Sequence, residues 1–390
     1  MKNKLGLITI IAFICGILFG IFFKDYSSAI AFIGTYYIKL LKVIITPILF
    51  TSISLTIFNT KKKKNHIIGK TLALFTALFV STFLITSILV LIINPSKGYV
   101  VKEVEWTGAV TSFELRSFLI NLLPKNFSDL FINPKVFFII AFSCLFGLVI
   151  KSEKVFSGIE KVKNYIFKFL EYVMYITPLA IFSLMATIVS DYGSILFGVG
   201  IKYILTAYFC SVVCLLLVMI LPVTIKCHIS PIVYIKKVYK IWIMTITTCS
   251  SSAVLPYTIK TCNEEFNVPK EITDVVVPLG CTIHMCGGAV SFALLGIFCA
   301  SIYGIEINIG TYLLMLISSL LINMAAPGIP NGGVVIGATF LNMFGIPLNF
   351  IGFYAGIYKL LDMVYTTLNV TGDISANVLI YSIINKQDTL

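Results

Sequence analysis

Charge is what this sequence has least of. Of its 390 residues only 12% are Asp, Glu, Lys or Arg, against about 25% in an ordinary soluble domain. Acids are the scarcer sign, 17 against 29 basic residues. That scarcity excludes intrinsic disorder, which needs high charge and low hydrophobicity, and it argues against a water-soluble enzyme. Paired cysteines are missing too. No CxxC occurs, and most of the 10 cysteines, Cys15, Cys144, Cys210 and Cys214 among them, lie inside apolar runs. A thiol there behaves as a small hydrophobe, so neither a disulfide framework nor a metal centre built on cysteine is read. There is no glycine-rich phosphate loop and no aromatic array for stacking bases, so the formal charge of +12 does not point to nucleic acid. Period-two alternation is absent, and with it the signature of a membrane barrel.

What the sequence has is apolar length. Hydrophobic residues make up 58%, and the mean hydropathy is +0.99. At roughly 20 residues per span, the chain has room for on the order of ten membrane elements. An all-α membrane protein is predicted, with a lipid bilayer as its surroundings. Apolar segments run at about 5–23, 30–58, 67–94, 135–150, 165–190, 195–225, 272–303 and 347–384, which are read as eight transmembrane helices. The first lacks a small-residue cleavage site and is taken as a retained helix, not a signal peptide. Lys2 and Lys4, Lys61–Lys64, Lys151, Lys154, Lys161 and Lys163, and Lys226, Lys236, Lys237 and Lys240 fall on one side of such a layout. The bias of cytoplasmic loops toward basic residues makes that side, and both termini, cytoplasmic in a cell (inner) membrane. The polar loop at about 95–134 falls outside although it carries Lys97, Lys102, Arg116 and Lys125.

Two apolar stretches, at about 230–265 and 310–345, are broken in the middle by TTCSSSAVLP (Thr247–Pro256) and NMAAPGIPNGG (Asn323–Gly333). Backbone freed by Ser, Gly and Pro at bilayer depth is tolerated only where it lines a cavity or is buried in protein. Each is read as a re-entrant hairpin, one from each face. An inverted pair of this kind points to a secondary transporter with its site near the midplane.

The last span reads YKLLDMVYTTLNVTGDISAN. Asp362, Tyr365, Thr366, Asn369 and Asp373 fall on one helical stripe. A carboxylate at the bilayer centre costs at least about 2.5–3.5 kcal/mol. Two of them beside amides and hydroxyls imply a cationic ligand, an ammonium group or a metal ion. Asp362 has Lys359 three residues before it as a structural partner. Asp373 has no nearby cation. In the preceding span, PLGCTIHMCGG, the glycines Gly280, Gly287 and Gly288 interrupt the helix and expose carbonyls that suit a monovalent cation. His284 reads as a hydrogen-bonded core histidine, since no acid stands near it in sequence to support proton carriage. A hydrolase built on Ser251 or Cys249 with His284 lacks an acid in triad order, so no enzyme is read.

With these motifs in hand, the chain resembles the dicarboxylate/amino acid:cation symporter family, the glutamate and neutral amino acid transporters. LLKVIITPILF (Leu40–Phe50), VMYITPLAIFSLMA (Val173–Ala186), TTCSSSAVLP, PLGCTIHMCGG, AAPGIPNGG and NVTGD (Asn369–Asp373) follow the family's motifs in order. The resemblance implies a homotrimer with an elevator-type moving unit. Residues 1–94 would supply scaffold helices 1–2 and transport helix 3. Residues 95–225 would supply helices 4–6, and 226–390 the transport core. It implies that Asp362 holds a substrate's amino group. Asn369 and hairpin groups at Ser251 and Ser252 would hold its carboxylate, with Tyr365 and Thr366 beside them and Ile329 to Gly333 as outer gate. It implies one sodium at Asp373 with carbonyls of Gly280, His284 and Asn369, and another at Thr282 with Asn323, Met324 and Ala326. No tightly bound cofactor is implied; sodium is the coupling ion, with a proton as the alternative.

The departures are informative. Where acid-carrying members place an Arg, this chain has Tyr365, and Cys249 stands at the alternative Arg position. His284-Met285-Cys286 replaces an Asn-Met-Asp signature, Leu78 and Phe79 replace hydroxyl residues, and Gly288 replaces Thr. The expectation is sodium-coupled symport of a small neutral amino acid. A proton-coupled or uncoupled carrier of a small organic acid, and an acidic amino acid or dicarboxylate symporter, are the alternatives.

Overall fold

The computed structural model describes residues 2–62, 66–98, 126, 136–192, 195–324, 332–348 and 350–385, and every regular element among them is helical. The first group of helices is α1 (Lys2–Phe22), α2 (Lys24–Lys62), α3 (His66–Ile93), α4 (Val136–Val149) and α5 (Glu153–Tyr192). Next, α6 (Ile195–Cys214) runs through a π-helical stretch, Leu215–Ile220, into α7 (Leu221–Cys227). The C-terminal half comprises α8 (Pro231–Thr248), α9 (Ser251–Glu264), α10 (Lys270–Ile283), α11 (Cys286–Ile302), α12 (Ile309–Met324), α13 (Gly332–Met343) and α14 (Phe350–Asn385). Most of the predicted outer loop at 95–134 lies outside the described residues.

Length and apolarity suffice for crossing a membrane in Ile67–Ile93, Gly200–Cys227 and Lys270–Ile302. In α5 the apolar part begins only at about Tyr175, after several charged turns. Large apolar side chains on α1, α2, α5 and α6, such as Phe22, Tyr36, Tyr175 and Leu205, are exposed, as lipid contact demands. Lys270–Ile302 is the opposite case. Of its most apolar window 78% is buried, against 39% for Ile67–Ile93, so α10 and α11 lie inside the protein.

The helices sort by packing. α2 and α1 lie against α5, and α2 also against α4. The partners of α3 are instead α11 and α6, and α14 packs against α10, α11, α8, α5 and α6. That places α3 with the C-terminal half. Hydroxyls in the apolar helices bond back to their own backbone, as Thr82 does to Leu78 O (2.8 Å) and Thr339 to Val335 O (2.8 Å). Such back-bonding satisfies a polar side chain without water.

The Ser-rich stretch forms a tight corner. α8 ends at Cys249, which adopts the left-handed conformation (φ 47°), and the extended Ser250 caps α9 by accepting from Ala253 N (3.3 Å). A serine here satisfies an N–H that the helix start leaves free. The two helices pack on each other. The Pro/Gly-rich centre of the second broken stretch, residues 325–331, lies outside the described residues, between α12 and α13.

Candidate functional site

The site is built round a break. Between α10 and α11 the backbone leaves helical geometry at His284 (φ −106°, ψ 86°) and Met285 (φ −115°, ψ 77°). Two amides from other helices hold the loose ends. Asn323 of α12 donates from Nδ2 to Met285 O (2.8 Å), and Asn369 of α14 accepts at Oδ1 from Gly287 N (2.7 Å). The two glycines make this approach possible. A Cβ on Gly287 would lie 2.3 Å from Tyr365 O, and one on Gly288 would lie 2.1 Å from Asn323 Oδ1. Gly288 is thus a position whose space the Asn323 amide fills.

Asp373 lies below the break and is 2% exposed; His284 is 1% exposed. His284 Nδ1 and Asp373 Oδ1 are 3.0 Å apart, and His284 Nε2 is 3.0 Å from Cys286 Sγ. The Phe75 ring of α3 lies flat on the imidazole, centroids 4.2 Å apart and planes 6° apart. The acid that His284 lacked in sequence is therefore 89 residues away and in contact. The order thiol, imidazole, carboxylate is that of a nucleophile triad, but Cys286 is fully buried, with no exposed face for a substrate carbonyl. Leu78 and Phe79 are buried on α3; Phe75 is the α3 residue that reaches the histidine, and nothing in its sequence marks it.

Asp362 is half-buried and receives a hydrogen bond from Thr366 Oγ1 (3.1 Å). Cys249, at the α8–α9 corner, Tyr358 and Lys359 are its electrostatic neighbours. A Cβ on Gly333, at the start of α13, would meet the Tyr358 hydroxyl, so α13 comes close to this end of α14. Ser251 is buried; Ser252 is exposed, with Oγ 3.7 Å from Cys281 Sγ. Thr282 is exposed and bonds back to Leu279 O (2.8 Å). Tyr365 is 3% exposed. Its polar neighbours Tyr354, Cys210, Ser291 and Tyr208 lie on α14, α6 and α11, with Ser291 the hydroxyl closest to pairing with it. Ile329 and Ala326 lie outside the described residues, and of Met324 only the helical backbone is described.

Sequence reading missed a second stripe on α14. Thr367 meets Thr245 (2.8 Å), Thr371 accepts from Trp242 Nε1 (2.9 Å), and Ser375 meets the Tyr234 hydroxyl (2.7 Å). The hydroxyls at i, i+4 and i+8 are a visible signal, and they bind α8 to α14.

Polar groups gathered round an interrupted, buried helix in an apolar bundle are how solute carriers make a site in a membrane. A match to the sodium:dicarboxylate symporter family runs over residues 5–383, and the chain belongs to that family. It is 24% identical to the proton/glutamate-aspartate symporter of Bacillus subtilis (strain 168) over 388 residues, which cover 95% of this chain and 93% of that protein. It is 27% identical to the proton/sodium-glutamate symport protein of Bacillus caldotenax over 393 residues, 95% of this chain and 93% of that one. The C4-dicarboxylate transport protein of Laribacter hongkongensis (strain HLHK9) is 24% identical over 398 residues, 97% of this chain and 89% of that one. The family is one of cation-coupled symporters, and the chain is an integral membrane protein of that kind.

Proposed function

We propose that the chain is a secondary active transporter that moves a small neutral amino acid with a coupling cation. It works as a homotrimer of elevator-type protomers in the cell membrane, with both termini cytoplasmic. Asp362 receives the ammonium group, since a half-buried carboxylate bonded only by Thr366 among the described residues has capacity left for a charged donor. Asn369 and the Ser251–Ser252 corner lie toward the carboxylate end, with α13 and the segment before it as the gate.

One observation carries the substrate class. Arg116 is the single arginine in the sequence, and it falls in the polar stretch between apolar segments. No guanidinium is available from the apolar helices to fork onto a second carboxylate, and Tyr365 stands where one is expected. The named relatives carry glutamate, aspartate or C4-dicarboxylates, and one feature favours that second reading here. Lys359 stands near both Asp362 and the Cys249 thiol, where an ammonium group has reach to an acidic substrate.

Uptake by proteoliposomes decides between them. Neutral amino acids, aspartate, glutamate and C4-dicarboxylates are compared under an imposed sodium gradient and, separately, an imposed pH gradient. Neutral uptake is expected. Strong aspartate, glutamate or dicarboxylate uptake with no neutral uptake overturns the substrate reading, and uptake that follows the pH gradient and ignores sodium makes the proton the coupling ion.

A further inference from the structure

The sodium ligands that the resemblance implies at Asp373 meet a different arrangement here. A hard monovalent cation needs a shell of oxygens, carboxylate and carbonyl together. One of the two Asp373 oxygens, Oδ1, is 3.0 Å from His284 Nδ1. The other ring nitrogen is 3.0 Å from Cys286 Sγ. These two partners lie on opposite edges of the ring, so the three residues form a line and not a shell. Nitrogen and sulfur also suit softer metals than sodium.

The ring has nowhere to go. Phe75 covers one face in a parallel stack. A Cβ on Gly372 would lie 2.8 Å from His284 Cε1, so α14 touches the ring edge through a glycine. A Cβ on Gly280 would lie 2.3 Å from Asp373 Oδ1, so α10 presses on the carboxylate through another. For an ion to enter, the imidazole would have to leave a slot that three helices close.

We propose that His284 is a built-in occupant of the cation position beside Asp373. A hydrogen held between Nδ1 and Oδ1 supplies the positive charge density that a buried carboxylate requires. The ion is replaced by a side chain that is never released, and Cys286 and Phe75 hold that side chain in register. The chain then runs its cycle with this cation position permanently filled, and any coupling sodium binds elsewhere, the Thr282 and Asn323 region included. This rests on the symporter reading for its meaning in transport, but its test is a binding measurement that stands apart from uptake.

The full chain is purified, and its thermal unfolding is followed in sodium chloride against choline chloride at fixed ionic strength. His284→Asn, which withdraws the ring and offers an amide oxygen, is expected to lower the half-saturating sodium concentration at least tenfold, or to create a sodium response where the unmodified protein has none. Adding Asp373→Asn should remove that gain. A folded His284→Asn protein with unchanged or weaker sodium affinity overturns the proposal. Should the variant not fold, nitrogen-15 histidine spectra of the unmodified protein decide. The hydrogen bond of His284 Nδ1 to Asp373 is expected in sodium and in choline alike, and its loss in sodium overturns the proposal. Failure of the transport reading shows separately, as absent solute uptake with the sodium results intact.

Discussion

Asp362 and Asp373 are the same residue type on one helix, about 16 Å apart along its axis at 1.5 Å per residue. The fold treats them in opposite ways. Asp362 is half-buried, holds one hydroxyl of its own helix, and looks toward the α8–α9 corner. Asp373 is sealed, with an imidazole on its oxygen and an aromatic ring behind that imidazole. A carboxylate left open can take and release a ligand in each cycle. One locked to a neighbouring side chain contributes a fixed hydrogen bond and rigidity. Between them the break at His284-Met285 is tied by Asn323 and Asn369, so the open and closed ends share a frame.

The largest effect should come from breaking the open end. Asp362→Asn keeps the shape and Thr366 as a neighbour but removes the counter-charge for an ammonium group. Uptake of α-amino solutes is expected to fall at least 100-fold while the protein stays monodisperse; retained uptake moves the amino group elsewhere.

Next comes the frame. Gly287→Ala places a methyl against the Tyr365 backbone, at 2.3 Å from its carbonyl oxygen, and backbone cannot swing aside. A loss of about 1–3 kcal/mol is expected for such overpacking, read as a lowered unfolding temperature with solute and sodium affinities weakened together. Unchanged stability would mean that α11 and α14 are further apart than described.

Asn369→Ala should act at both ends but more gently. The amide caps the start of α11 through Gly287 N, and losing a cap costs about 0.5–2 kcal/mol. Asn369→Asp keeps an acceptor at that point and is expected to recover most of the stability. Recovery of stability without recovery of uptake would assign Asn369 a substrate contact in addition to its cap.

The smallest effect is at Thr366→Val. It deletes one 3.1 Å hydrogen bond to Asp362, and bonds to charged groups are worth about 1.5–3 kcal/mol at most. With water able to replace the hydroxyl at a half-open carboxylate, roughly a threefold rise in KM is expected with little change in kcat. A change as large as that of Asp362→Asn would mean that Thr366 touches the solute.

Periodicity and composition by themselves determined that the chain is helical, apolar and membrane-bound, that Asp362, Thr366, Asn369 and Asp373 share a stripe, and that the backbone fails near Gly280–Gly288. Those properties are local: a turn of 3.6 residues, the cost of a bare peptide group in lipid, and the lack of a Cβ are written in neighbouring residues. Only the tertiary structure decided what each stripe residue faces. His284 had no acid within reach along the chain and has one at 3.0 Å in space; Phe75 had no mark at all; and the space beside Gly288 is taken by Asn323 from another helix. Likewise the Thr367, Thr371 and Ser375 stripe acquires its purpose only from α8. Partners 38 to 141 residues apart meet because apolar faces pack the helices together, and the helical repeat of one segment contains no information on which face of another will come to lie against it.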